Sequence, residues 1–310
     1  MLIFSIIVLF IISLSMGGYI YLLQSKHKKL QLEKKSYEKS TLRNRLRNDR
    51  DLDMARKIQQ GLLVAKKIQN KNIQLSAVCY PAEKIGGDFF SIQKRRKGNV
   101  EQIEEQKGII NLTNRRQEGM DLVIGDVSGH GVASALVMIL AKNCLEDLLN
   151  NENYDPKEIM QIANKQIMNY TEGSEINFVT VFLAKFNCQN NILTFSKAGH
   201  TAPLLFRKNG KIEQLETEGV FLGMFENPEF EEKQIKLEKG DKLFLYTDGL
   251  NEAKNANSEL LGIKKLKDII KNNIWLSGEY LLNKIIEEVK EYASDNNIND
   301  DVTMIAFEVS

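Results

Sequence analysis

Four stretches far apart in the chain each end a strand-like apolar run on an aspartate set beside glycine or a second acid. They are Ile85-Gly86-Gly87-Asp88, Ile124-Gly125-Asp126-Val127-Ser128-Gly129-His130-Gly131, Tyr246-Thr247-Asp248-Gly249 and Asn299-Asp300-Asp301-Val302-Thr303. A single stretch of this kind is only a turn, because Asp and Gly both suit tight bends. Four of them call for a core whose strands bring their ends, and so their carboxylates, to one edge. Carboxylates that close repel and raise one another's pKa unless a cation sits among them. Oxygen-only ligands suit Mg²⁺ or Mn²⁺, whereas Zn²⁺ prefers Cys and His. The three cysteines, Cys79, Cys144 and Cys188, are widely separated and show no metal spacing. The pattern is that of a metal-dependent enzyme.

The rest of the chain predicts where those strands lie. Ile73, Leu75, Ala77 and Cys79 alternate with Gln74, Ser76 and Val78 as a half-buried strand does. Further strands are expected over Asp121–Gly125, Val179–Phe186, Ile192–Lys197, Leu204–Arg207, Leu243–Tyr246 and Thr303–Val309, with a type I′ hairpin at Asn209-Gly210. Val132–Leu149 is apolar nearly all round and reads as a buried helix. Asp155-Pro156-Lys157-Glu158 supplies an N-cap, a proline at the first helical position and an acid in the first turn. Two more helices are expected at Leu260–Lys271 and Glu279–Ala293. Strands outnumber helices and the helices fall in separate blocks, which fits an α+β fold of antiparallel sheets with helices packed outside. Lys94–Gly119 is polar and reads as a mobile loop between two core strands.

Met1–Ser25 contains no charged residue and is mostly Ile, Leu, Val and Phe. At roughly 20 residues for a bilayer-spanning helix, it predicts an uncleaved membrane anchor. The basic residues Lys26, Lys28, Lys29, Arg43, Arg45, Arg47 and Arg50 follow it and place the remainder in the cytoplasm. Buried free thiols fit that reducing side. Gln24 to about Asn70 lacks proline and favours a long helix, which carries Leu30, Tyr37, Leu42, Leu46, Leu52, Ala55, Ile58 and Leu62 at spacings of three to seven. A coiled-coil homodimer and a solvated helical spacer both fit that stripe. The expected organisation is an anchor over 1–24, a helical linker over 25–70 and a catalytic domain over 71–310, single-pass in the cell membrane. Lys+Arg 42 against Asp+Glu 41 leaves a formal net charge of +1, so no bulk field draws the chain to nucleic acid.

Tyr80-Pro81-Ala82-Glu83-Lys84-Ile85-Gly86-Gly87-Asp88-Phe89-Phe90 resembles the opening motif of the bacterial PP2C-type serine/threonine phosphatases of the SpoIIE/RsbU group. Gly125-Asp126-Val127-Ser128-Gly129-His130-Gly131, with Ala133 and Ala135, is similar to the second motif. Asn177-Phe178-Val179-Thr180, Ala198-Gly199-His200 with Pro203, Tyr246-Thr247-Asp248-Gly249-Leu250-Asn251-Glu252-Ala253 and Asp300-Asp301-Val302-Thr303 follow in the family's order. The resemblance runs from about Asp53 to the C-terminus. It implies two central antiparallel sheets sandwiched between pairs of helices, with two Mn²⁺ or Mg²⁺ ions at the site. By resemblance Asp88, Asp126, Asp248 and Asp300 are metal ligands, Asp126 bridging both ions and the Val127 carbonyl completing one site. Two such ions bind a shared water, lower its pKa and orient it for in-line attack on phosphorus.

Asp301, Lys84, Gly87 and Gly129 are expected beside the metals or the substrate, and His130 is a candidate general acid for the leaving oxygen. The family often has a second acid three residues after the first metal aspartate, where this chain has Ser91, and Val64 stands in place of the usual proline. The function expected is hydrolysis of phosphoserine or phosphothreonine on a signalling protein such as an anti-sigma-factor antagonist. Two rivals stand beside it: a catalytically weak membrane-bound scaffold, and an Mg-nucleotide-dependent phosphotransferase. The absence of a P-loop counts against the second.

Overall fold

A computed structural model of the chain describes residues 2–96, 117–173, 178–293 and 298–310. It divides into two compact units, Met1–Ala55 and Arg56–Ser310. The first is helical throughout, as part of α1 (Leu2–Leu62). Among the described residues no helix is long and apolar enough to cross a membrane. The side chains of the expected anchor, Met16 apart, lie outside the described ones. Leu30, Tyr37 and Leu42 are exposed on their helix.

The second unit holds β1 (Lys66–Gln69), β2 (Ile73–Tyr80), β3 (Phe89–Arg96), β4 (Gln117–Val127), α2 (Val132–Leu149), α3 (Pro156–Thr171), β5 (Val179–Asn187), β6 (Ile192–Ala198), β7 (Leu204–Phe206) and β8 (Ile212–Gln214). It continues with β9 (Glu232–Lys236), β10 (Lys242–Tyr246), α4 (Asp248–Asn251), α5 (Gly262–Asn272), α6 (Gly278–Tyr292) and β11 (Val302–Val309). A six-stranded sheet has the order β1-β2-β11-β10-β7-β8 and a five-stranded sheet the order β3-β4-β5-β6-β9. Every strand pairing within them is antiparallel.

Burial divides the apolar residues into three layers. Leu75, Phe307 and Leu243 of the first sheet meet Phe90, Leu122 and Phe182 of the second. Val123, Val181 and Leu183 turn the other way, onto Met138 and Leu145 of α2 and Ile159 and Ala163 of α3. Phe244, Met304 and Val302 likewise pack on Leu266, Leu282 and Ile285 of α5 and α6. The result is an α+β sandwich of two sheets with a helix pair on each side. Alternation along each strand produces it, since successive side chains face opposite layers.

Several local expectations change. The helix expected to about Asn70 ends at Leu62, and Lys66–Gln69 instead pairs with β2, burying Ile68 between Lys67 and Gln69. The Asn209-Gly210 turn is not type I′, which needs positive φ at both central residues. Only Gly210 has it, at 86°, and its N–H bonds the Arg207 carbonyl at 2.9 Å, the pattern of a three-residue hairpin loop in which a β-turn ends on a left-handed glycine. α2 is not buried all round, because Val132, Leu136 and Leu140 are exposed along one side. Lys94–Arg96 and Gln117–Gly119 extend β3 and β4 into the expected loop, whose residues 97–116 lie outside the described ones. The α3 cap is as expected: Asp155 accepts from the Glu158 N–H and Glu158 returns the bond, a capping box worth about 1 kcal/mol. Cys144 is buried, Cys79 and Cys188 half-buried, and all three are free.

Candidate functional site

Sheet registry brings the four aspartates to one end of the sandwich. β3 pairs with β4 with Phe89 opposite Gly125, so one step further sets Asp88 against Asp126. β10 pairs with β11 with Tyr246 opposite Met304, so Asp248 and the Asp300-Asp301 pair emerge side by side from neighbouring strands. Val302 in turn faces Tyr80, where the chain leaves β2 for the loop that carries Gly86, Gly87 and Asp88.

Asp301 ties these strand ends together. Its carboxylate accepts the Ala82 N–H at 2.8 Å, the Gly87 N–H at 2.7 Å and the Asp88 N–H at 3.4 Å. A β-carbon on Gly86 would overlap that carboxylate, and one on Gly87 would stand 2.8 Å from the Val127 carbonyl oxygen. Both positions therefore require glycine for close approach. Asp88 is 2% exposed and accepts a 2.7 Å hydrogen bond from the Thr247 hydroxyl, which itself receives the Thr303 N–H at 2.8 Å.

Burial raises the Asp88 carboxyl well above its ordinary range, and the Asp126 and Asp301 charges raise it further. Asp126 is pushed up to about 8 by burial and then by Asp248, Asp300 and Asp301, with a hydrogen bond to Asp88 pulling the other way. The Asp88–Asp126 pair thus holds a proton where a cation would serve as well. Burial also raises Asp248, with the Glu252 charge adding to it, and Asp300, with the Asp248 and Asp301 charges adding to it. The Asp301 N–H, 2.8 Å from the Asp300 carboxylate, opposes the rise there. Among the described residues no three His, Cys, Asp or Glu are gathered around one ion position. The electrostatic coupling reaches further than coordination does. In donor chemistry, all oxygen and all mutually repelling, the set fits a hard divalent cation.

The other residues singled out from sequence sit around this cluster. His130 has a side chain 88% exposed, 3.7 Å from Glu83, and its charge acts on Asp300. Lys84 is half-buried in the loop before Asp88, and Gly129 is exposed with φ 88°. Ser91 lies deeper, donating to Glu146 of α2 at 2.5 Å, and Lys142 pairs with the same carboxylate. His200 is buried, its Nδ1 2.8 Å from the Thr180 hydroxyl, and burial holds its pKa down to about 3, so it stays neutral. Asn177 lies outside the described residues.

Two residues at the site were not anticipated. Thr247 carries no sequence signal beyond standing next to Asp248. Gln59 of α1 is 4% exposed, and its amide both donates to the Gly86 carbonyl at 2.7 Å and accepts the Gly86 N–H at 3.0 Å. The available signal was its place in the Ile58-Gln59-Gln60 stretch ahead of the catalytic strands.

The profile of the SpoIIE family (Stage II sporulation protein E) matches residues 116–310, more than half of the chain. The chain belongs to the SpoIIE family. It is 25% identical over 256 residues to the phosphoserine phosphatase RsbU of Bacillus subtilis strain 168, covering 82% of this chain and 69% of RsbU. It spans less than half the length of two further curated relatives. The fold is that of the SiaA-PP2C domain of Pseudomonas aeruginosa, with a TM-score of 0.66 at 18% identity over 86% of this chain and 98% of that one. RsbX, solved in complex with magnesium, aligns with a TM-score of 0.55 at 18% identity over 80% of this chain and all of RsbX. This SpoIIE-family chain is a serine/threonine phosphatase of the PP2C type.

Proposed function

We propose that this chain hydrolyses phosphoserine or phosphothreonine on a signalling protein, with Asp88, Asp126, Asp248, Asp300 and the Val127 carbonyl holding two Mn²⁺ or Mg²⁺ ions. One observation carries the reading: the charges acting most strongly on Asp126 are those of Asp248, Asp300 and Asp301, all negative and all at one sheet edge. When bound, such ions neutralise charge on the phosphoryl oxygens and activate water for attack on phosphorus. The chain's own residues do the positioning. Asp301 and Thr247 hold the Gly87-Asp88 backbone and the Asp88 carboxylate, and in this reading His130, whose side chain is exposed, gives a proton to the leaving serine oxygen.

The test is hydrolysis of a phosphoserine protein by the full chain. Activity should require Mn²⁺ or Mg²⁺, vanish with chelator and be lost in Asp126→Ala, Asp248→Ala and Asp300→Ala. Full activity in excess EDTA would refute the reading. An anti-sigma-factor antagonist is the substrate we infer from the resemblance.

The uncharged Met1–Ser25 run and the basic residues after it support tethering to the cytoplasmic face of the cell membrane. Protease protection in intact cells, with cleavage after lysis, checks this; a soluble, shortened protein would contradict it. The exposed Leu30, Tyr37 and Leu42 support a homodimer through the linker helix, to be read by crosslinking in the membrane.

A further inference from the structure

Between β8 and β9 the chain crosses the catalytic end of the sandwich in a loop that exposes three large apolar side chains within six residues. Val220 is 40% exposed, Met224 49% and Phe225 48%. Isolated exposed apolar residues are ordinary; a cluster on one fixed element marks a contact surface.

The loop is held at several points. Gly199 donates to the Gly219 carbonyl at 3.1 Å, and Val179 and Leu222 exchange both backbone hydrogen bonds at 2.9 Å. Asn164 of α3, fully buried, accepts the Gly223 N–H and donates to the Phe225 carbonyl, each at 2.8 Å, so its amide brackets Met224. Phe221 lies 4.4 Å, centroid to centroid, from Phe178, and Leu222 is buried in the layer under α2 and α3. Backbone fixed in this way loses little further freedom when a partner binds.

Its position ties it to the site. Leu222 pairs with Val179, and Val179 pairs with Val127, whose carbonyl faces Gly87. At about 4.8 Å per strand spacing, Leu222 stands roughly 10 Å from the Val127 backbone. Met224 and Phe225 follow Leu222 by two and three residues on the same stretch of loop.

Resting on the phosphatase reading above, we propose that Val220, Met224 and Phe225 are a docking contact for the phosphoprotein substrate, selecting substrates with an apolar side chain near the phosphoserine. At about 3.3 Å per extended residue, a separation of roughly 10 Å corresponds to about three positions from the phosphoserine, or to the equivalent distance on a folded surface.

The experiment compares two phosphoserine peptides with the full-length protein in Mn²⁺. One carries Leu and Phe at three to five positions on either side of the phosphoserine, and the other carries Ser there. Wild type should show kcat/KM about tenfold higher for the apolar peptide, mostly through KM, as burial of one apolar side chain allows. Met224→Ser/Phe225→Ser should bring the ratio near one. Equal rates with wild type, or an undiminished ratio in the double variant, would overturn the proposal. If the double variant does not fold, as judged by its Tm, Met224→Ala and Phe225→Ala singly are read in the same way. Conversion of a wild-type dimer to monomers by these substitutions would assign the patch to a second copy of the chain and also overturn it. If wild type hydrolyses neither peptide nor p-nitrophenyl phosphate, the phosphatase reading itself fails, a result distinct from equal rates on both peptides.

Discussion

The Thr247 hydroxyl lies 2.7 Å from the Asp88 carboxylate, across 159 residues of sequence, and takes the Thr303 N–H at 2.8 Å on its other side. It fixes which way Asp88 points and ties β10 and β11 to the loop before β3. Thr247→Val keeps the shape but strands the buried Thr303 N–H, at roughly 1–3 kcal/mol. The variant should lose that much in denaturant unfolding and need several times more Mn²⁺ for half-activation. Thr247→Ser should restore most of both. Equal Mn²⁺ requirements in all three proteins would limit Thr247 to stability.

The carboxylate cluster makes a signed pH prediction. Folding raises Asp126 from the ordinary 3.8 to about 8. A carboxyl raised in this way adds stability that is complete below the ordinary value and is lost as pH rises through the folded one. Metal-free protein should therefore lose Tm between about pH 4 and about pH 8, and excess Mn²⁺ should flatten or reverse the trend. Asp126→Asn should raise the metal-free Tm near neutral pH by roughly 2–6 °C, corresponding to about 1–2 kcal/mol. Calorimetry with and without chelator measures both; a metal-free Tm that climbs with pH would contradict the charge assignment.

Gln59 holds Gly86 by two hydrogen bonds, at 2.7 and 3.0 Å, one residue before Gly87 and two before Asp88. Gln59→Ala leaves a buried N–H and C=O unpaired, for a loss of roughly 1–3 kcal/mol. The apparent Mn²⁺ affinity should change several-fold with it, because the loop carrying Asp88 loses an anchor. The exposed neighbour supplies the control: Gln60→Ala should change neither.

His130 invites a test by leaving group. A general acid matters for a serine alkoxide and little for nitrophenolate, which leaves without a proton. His130→Ala should lower kcat on a phosphoserine peptide by about 10²-fold or more and on p-nitrophenyl phosphate by much less. Equal losses on both substrates would point instead to His130 acting on the neighbouring Asp300 carboxylate.

What the sequence determined by itself was whatever local rules control. Alternation marked β2, apolar runs marked β5, β6 and β11, and the Asp155-Pro156-Lys157-Glu158 cap marked the start of α3, because side-chain pattern and capping are set within a few residues. Aspartates at the ends of apolar runs were likewise visible as candidates. Only the tertiary structure decided which strands lie side by side, and so which ends share an edge. β1 and β9 carry no such mark, because strands of four and five residues draw their stability from partners, β2 and β6, that periodicity does not name. The exposed side of α2 depends in the same way on which neighbours pack there. Asp301 reaches Gly87 across 214 residues, Thr247 reaches Asp88 across 159 and Gln59 reaches Gly86 across 27. Each bond depends on sheet registry, a sum over the long-range pairings of both sheets, and no window of sequence contains it.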